Sequence, residues 1–175
     1  MTSTVNSQER VVVSAVVRLL LEGTELIAFQ YDSGFTAHFQ HDLPLKNPAF
    51  PAQVSLVLRG PWSPDETEVV PPELIPDPEK TTCKPDQPFK AFKLMSFVGR
   101  KVEHAEVGLD SSLLLSLSGG ATIAIAGRED EWDYSWYLYV RSDFPGADSW
   151  AITCHSNGDL EGAWPSNAPI PSAIP

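Results

Sequence analysis

The sequence predicts a mainly β protein, with one or two short helices, that folds as an antiparallel β-sandwich or an open barrel. Three observations support this class. Apolar and polar residues alternate over several short segments, the turn signals Gly119-Gly120 and Asn157-Gly158 stand between such segments, and one pattern of elements occurs twice along the chain. The alternative is a pair of smaller α+β lobes.

Proline content divides the chain into four parts. Residues 1–62 form a first β-unit, and residues 63–88 form an acidic, proline-rich connection that is unsuited to continuous helix or central strand. Residues 89–165 form a second β-unit with a C-terminal hairpin, and we expect the two units to share one core. Residues 166–175 are again rich in proline, which predicts a flexible tail.

Each unit is predicted to begin with a short helix that ends at a glycine, Gly23 in the first unit and Gly99 in the second. A strand is the alternative to the first helix, because the segment 11–17 is rich in valine. After each glycine the pattern has period two, so residues 19–62 and 97–132 are predicted to be copies of one helix-glycine-β-meander unit. The matching inward-facing residues are Phe35, Ala37 and Phe39 in the first copy and Leu113, Leu115 and Leu117 in the second.

Two hairpins are predicted in the second unit, one at Gly119-Gly120 and one at Asn157-Gly158, because both dipeptides favour tight turns. The chain has two cysteines, Cys83 in the proline-rich connection and Cys154 in the last hairpin. Since the connection should lie outside the core, we expect Cys154 to be buried and no disulfide to join the two thiols.

The charge of the chain limits its partners. Among 175 residues, 12 are basic and 23 acidic, which gives a formal net charge of −11, and 42% are hydrophobic. This composition is typical of a globular protein, and its negative charge repels phosphates, so we expect neither nucleic acid nor a membrane as partner. A basic protein is favoured instead. The N-terminal residues lack a signal-peptide pattern, which predicts a cytoplasmic location.

The stretch 128–141 reads REDEWDYSWYLYVR and holds two tryptophans, three tyrosines and four carboxylates. If its second half is a strand, Tyr134 and Trp136 face the core and the other two tyrosines face outward. The acidic residues before it are predicted to form a solvated loop, and together these groups make a candidate patch for a basic protein. The patch comprises Glu129, Asp130, Glu131, Asp133, Tyr137, Tyr139 and Arg141. Alternatively, a covering loop makes the tyrosines structural and the charges a solvated turn.

Several segments in order, LRGPW, SFVGRKVEHAEV, LLLSLSGGATIAIAG, DYSWYL and CHSNGDLEGAW, resemble a mostly actinobacterial, bacterial family of small acidic proteins catalogued only as a domain of unknown function. The resemblance covers roughly residues 50–165 and implies no known activity. His155-Ser156-Asn157-Gly158 stands where that family commonly has a proline-glycine-glycine turn. Ser135 replaces the family's usual acidic residue, so the resemblance implies no catalytic carboxylate there.

We predict that the protein is not an enzyme and holds no metal or cofactor. His38 and His41 are three residues apart, so in a strand their side chains face opposite sides and cannot share a metal. Cys154 and His155 are adjacent and would likewise point apart, which argues against a catalytic dyad. Gly119-Gly120 lacks the following helix and lysine of a phosphate loop.

The sequence supports three hypotheses about function. The first is a cytoplasmic binding module that meets a basic protein and, by analogy of size and acidity, acts as an immunity protein or inhibitor. The second is a structural protein that forms a homodimer through its aromatic strand and hairpin. The third, weaker hypothesis is a small-molecule pocket inside a β-barrel.

Overall fold

The computed structural model describes residues 7–32, 34–42, 51–64, 87–140, 150–166 and 168–170. Arg141, Cys83 and most of the predicted proline-rich connection lie outside these ranges. Two helices and ten strands occur in the order α1 (Ser7–Leu21), β1 (Thr24–Tyr31), β2 (Phe35–His41), β3 (Gln53–Leu58), β4 (Trp62–Pro64), α2 (Gln87–Phe97), β5 (Val102–Val107), β6 (Leu113–Leu117), β7 (Ala121–Ile125), β8 (Tyr134–Tyr139), β9 (Ala151–His155) and β10 (Leu160–Ala163).

The described strands form two antiparallel sheets, which confirms the predicted β-sandwich. The larger sheet has the order β1-β2-β3-β8-β9-β10, and the smaller sheet has the order β4-β7-β6-β5. Their facing side chains form one hydrophobic core to which both units contribute, as the packing of two sheets requires. Neither sheet closes on itself, so the barrel that the small-molecule hypothesis needs is not formed.

The two predicted copies have the same internal pairing. In each copy three consecutive strands form an antiparallel meander, β1-β2-β3 in the first and β5-β6-β7 in the second. Leu26 pairs with Phe39 in the first meander, and Val102 pairs with Leu117 at the equivalent place in the second. All six residues predicted to face inward are buried. The period-two pattern therefore identified the core face of both copies.

The fourth strand of each unit joins the sheet of the other unit. Strand β4 leaves the first meander and pairs with β7, whereas β8 leaves the second meander and pairs with β3. Trp62 is thereby opposite Ile125, and Trp136 is opposite Leu58. Trp136 is the counterpart of Trp62, so the prediction that the second copy ends at residue 132 is wrong. The loop before β8 is longer than the turn before β4, so comparison of the two copies in the sequence matched Trp62 with Trp132 instead of Trp136.

Reciprocal hydrogen bonds join the two copies where their helices end. Gly23 N donates to Val102 O at 2.8 Å, and Gly99 N donates to Leu26 O at 2.8 Å. The two acceptors stand three residues after the glycines, and the bridge between Glu25 and Lys101 joins the residues that stand two after them. An approximate twofold axis passes between the copies. The positive φ angles of Gly23 (81°) and Gly99 (88°) supply the left-handed helix ends that the sequence predicted.

The helices cover open sides of the sandwich. Helix α1 packs along β5 and β10, while α2 packs along β1 and β4. Arg18 Nε donates to Ala105 O at 3.3 Å, and Ala105 N donates to Glu22 Oε1 at 3.1 Å. These side chains therefore provide hydrogen-bonding partners for backbone groups at the outer edge of β5. Its valines form helix rather than strand, because Val13, Val16 and Val17 share a face buried in the core.

The C-terminal hairpin extends the larger sheet. Asn157-Gly158 turns the chain between β9 and β10 as predicted, with Gly158 at a φ of 88°. After β10, Ala168 and Ile170 pack against the core. This contact corrects the prediction of a flexible tail at those two positions, because an apolar side chain gains by burial even where proline prevents regular structure.

Candidate functional site

The acidic loop before β8 is anchored at Glu129. This residue is only 9% exposed, its Oε1 accepts a hydrogen bond from Trp132 N, and its own N donates to Ser156 O at 3.2 Å. The prediction of a solvated Glu129 is therefore wrong, since its carboxylate satisfies a backbone donor within the loop. Asp130, Glu131 and Asp133 are exposed, as predicted.

A β-bulge changes which tyrosines face outward. The register between β8 and β9 shifts between Tyr134 and Trp136, so Ser135 is an extra residue in its strand. Ser135 is fully buried, its O accepts hydrogen bonds from Arg59 N (2.9 Å) and Gly60 N (2.7 Å), and its Oγ donates to Ala126 O. Because of this bulge, Tyr134 joins the outer face, and the prediction that it faces the core is wrong.

Three tyrosines form a row on the outer face of the larger sheet. The rings of Tyr137 and Tyr139 are stacked with centroids 5.1 Å apart, and Tyr134 meets Tyr137 edge-on at 6.0 Å. Partial burial raises the pKa of Tyr137, and the neighbouring Tyr139 and Tyr134 raise that pKa further. These neighbours are phenols rather than carboxylates. Asp133 directly precedes Tyr134 in the chain, and a single patch of the acidic residues and the tyrosines stays a prediction.

The acidic loop also lines a cleft of about 640 Å³. This volume lies within the range of ordinary ligand pockets. The cleft brings together the end of β1, the turn before β2, the segment from β3 to β4, the first turn of α2 and the loop before β8. Its aromatic and charged lining residues are Tyr31, Phe35, Arg59, Trp62, Lys90, Glu129, Asp130, Glu131 and Trp132.

Cations of the chain lie over the aromatic rings of the cleft. The guanidinium carbon of Arg59 is 4.7 Å from the ring centroid of Trp132, and Lys90 Nζ is 5.2 Å from that of Trp62. Phe35 meets Trp62 edge-on at 5.2 Å. Such faces attract positive charge, and the carboxylates of the neighbouring loop add to that attraction. The lining therefore combines two cations of the chain itself with the carboxylates of the acidic loop.

Sequence reasoning found the acidic part of this cleft and missed the rest. Arg59 and Trp62 both stand in the segment LRGPW, whereas Lys90 comes from α2, and no short motif connects Lys90 with them. The available signal was the tryptophan at the end of LRGPW, because the end of one copy of a repeat invites comparison with the end of the other.

Two of the described histidines lie within hydrogen-bonding distance of a polar side chain. His38 Nδ1 lies 2.9 Å from Ser55 Oγ on the outer face of the larger sheet, and burial lowers the pKa of His38. His155 Nε2 lies 3.1 Å from Glu161 Oε2 at an exposed position. Within the described ranges, no group of three or more His, Cys, Asp or Glu side chains could hold a metal ion.

No helix in these ranges is long and apolar enough to cross a membrane.

Cys154 is expected to be an unreactive thiol. It is fully buried, as predicted, and burial raises its pKa from 9.0 to about 12. In a Cys83→Ser variant, the thiol should resist a disulfide reagent at pH 8 in the native state and react at once in denaturant. Since the unfolded thiol ionises near 9.0, the group stabilises the fold below that pH and loses this contribution as pH rises toward about 12. Rapid labelling of the native variant would contradict the buried assignment.

Comparison of the chain with protein-family models, with curated proteins and with solved structures gives no match.

Proposed function

We propose that the protein is a non-enzymatic, cytoplasmic binding module that recognises a basic protein through the cleft and its acidic rim. The observation that carries this proposal is the meeting of exposed carboxylates and aromatic rings at one place. Asp130 and Glu131 line the cleft beside Trp132, which is 44% exposed, and Tyr31, which is 48% exposed. Large aromatic side chains with a polar surround are typical of protein interfaces.

The charge of the whole chain supports the same class of partner. A net charge of −11 attracts a basic protein at long range and repels nucleic acids and anionic lipids. The exposed acids then guide the encounter, while the aromatic rings supply apolar area and favourable contacts with cations after contact is made. The action as an immunity protein or inhibitor, and the resemblance to an actinobacterial family, remain predictions that no contact in the cleft addresses.

The proposal can be tested by capture of partners from an extract of the native host on immobilised protein at low ionic strength. We expect a basic protein to be retained by the wild type and lost from a variant with Asp130→Lys and Glu131→Lys. A variant with Glu103→Lys and Glu106→Lys is the matched control, since it reverses two exposed acids on β5 and changes the net charge equally. Equal retention by the two variants, or capture of acidic proteins alone, would contradict the proposal.

Self-association is a second candidate, favoured by the row of half-buried tyrosines on the outer face of the larger sheet. Tyrosine is enriched at interfaces, and a twofold dimer would bring two such rows together. Sedimentation at increasing concentration, with Tyr137→Ser and Tyr139→Ser as the variant, separates the candidates. A dimer that the variant abolishes favours self-association, whereas a monomer at every concentration removes it.

A further inference from the structure

The two units differ in the strands that flank their fourth strand. In the larger sheet, β8 has the hairpin of β9 and β10 beside it, which continues the sheet. In the smaller sheet, β4 is the last described strand, and no described hairpin stands beside it. Under the approximate twofold symmetry, the position that the C-terminal hairpin occupies beside β8 therefore corresponds to a position beside β4.

In the second unit, the hairpin closes the space beside Trp136. Cys154 Sγ lies 3.2 Å from Gly127 O, and Ser111 Oγ donates to Gly158 O at 2.6 Å. Trp136 Nε1 donates to Ser111 O at 2.9 Å, and the Trp136 side chain is fully buried. The hairpin thus contacts the turn before β6 and the glycine after β7, and its Cys154 is paired with Trp136 across the neighbouring strands.

The counterparts of these groups in the first unit line the cleft. Trp62 corresponds to Trp136 by strand pairing, Phe35 corresponds to Leu113, and Gly60 corresponds to Gly127. All three of the first-unit residues border the cleft. The cleft is accordingly the equivalent of the space that the hairpin occupies in the other half of the molecule.

We infer that the cleft receives an extended polypeptide segment of the basic partner, in the position that the C-terminal hairpin takes in the second half. This inference rests on the proposed function and names the part of the partner that is recognised. A polypeptide fits because its counterpart is a polypeptide, and basic side chains fit because Asp130 and Glu131 form one rim. Such side chains would stack on the exposed ring of Tyr31 and on the part of the Trp132 ring that the Arg59 guanidinium leaves uncovered.

The test uses the full chain and two fluorescein-labelled decapeptides, one alternating threonine with arginine and one alternating threonine with glutamate. Binding is measured by fluorescence anisotropy at low ionic strength. We expect the arginine peptide to bind and the glutamate peptide not to bind. Tyr31→Ala and Trp132→Ala together should weaken binding about tenfold or more, as loss of interface anchors does. Val11→Ala with Leu109→Ala is the control, because both residues are exposed, apolar and absent from the cleft lining.

Each other outcome overturns the inference. If the arginine peptide does not bind, or binds both double variants equally, the segment is not held in the cleft, while capture of a basic partner would still support the proposed function. Competition by argininamide at equal arginine concentration would assign the cleft to single cations. A dimer that Tyr31→Ala and Trp132→Ala abolish would assign it to a second copy. Binding that appears only after residues 65–86 are replaced by a glycine-serine linker would assign it to that segment.

Discussion

Replacing Trp136 by alanine is expected to lower the free energy of unfolding by about 3–5 kcal/mol, the usual cost of truncating a buried tryptophan. The side chain is fully buried between the sheets, and its loss also leaves Ser111 O without the indole donor. Chemical denaturation monitored by circular dichroism gives the measurement. The cost exceeds the lost transfer free energy of the side chain, because the surrounding structure relaxes only in part and leaves a cavity.

Trp132→Ala is the matched control for Trp136→Ala. Trp132 is 44% exposed and packs against the guanidinium of Arg59, so its removal should cost less than about 1 kcal/mol. If the two substitutions cost the same, or if Trp136→Ala costs less than about 1 kcal/mol, Trp136 does not hold the two sheets together as the structure indicates.

Reversing the acidic rim is expected to slow association with the basic partner about tenfold at low ionic strength. In the variant with Asp130→Lys and Glu131→Lys, two exposed charges beside the cleft repel the partner during encounter. Above about 0.5 M salt the difference from wild type should fall below about twofold, because charges are then screened over a few ångströms. Stopped-flow or surface-based kinetics at several salt concentrations measures both rates.

The control for this prediction is the Glu103→Lys and Glu106→Lys variant, which changes net charge equally at a distant edge of the smaller sheet. Its association should be slowed less at low salt, and both variants should unfold at the wild-type denaturant concentration. An equal slowing by both variants would indicate attraction by net charge alone and would contradict a role for the rim.

Local pattern predicted the fold because the sandwich is built from elements with clear periodicity. Leu113, Leu115 and Leu117 are buried and alternate with exposed or partly exposed residues. Gly23 and Gly99 both end a helix at a position where the backbone has a positive φ, which glycine adopts readily. Because the unit is duplicated, the pattern of each copy supported the prediction made from the other. The exchange of fourth strands between the sheets could not be predicted, because neither the turn between β3 and β4 nor the longer loop between β7 and β8 carries a signal for the sheet that the next strand joins.

The candidate site was predicted less well because it depends on contacts between distant segments. The bulge at Ser135 exists through its hydrogen bonds to Arg59 and Gly60, which lie in the first unit, and it moves Tyr134 to the outer face. The burial of Glu129 depends on the C-terminal hairpin, through Ser156. No alternation within residues 128–141 reveals either contact.

Binding of the basic partner in the cleft can be tested by hydrogen exchange of the protein with and without its captured partner, which reports the backbone segments that the partner covers. We expect slower exchange at residues 59–62 and 129–132, which border the cleft, and unchanged exchange along β8 and β9. Protection of β8 and β9 with no change at the cleft would contradict it and would place the binding surface on the tyrosine row.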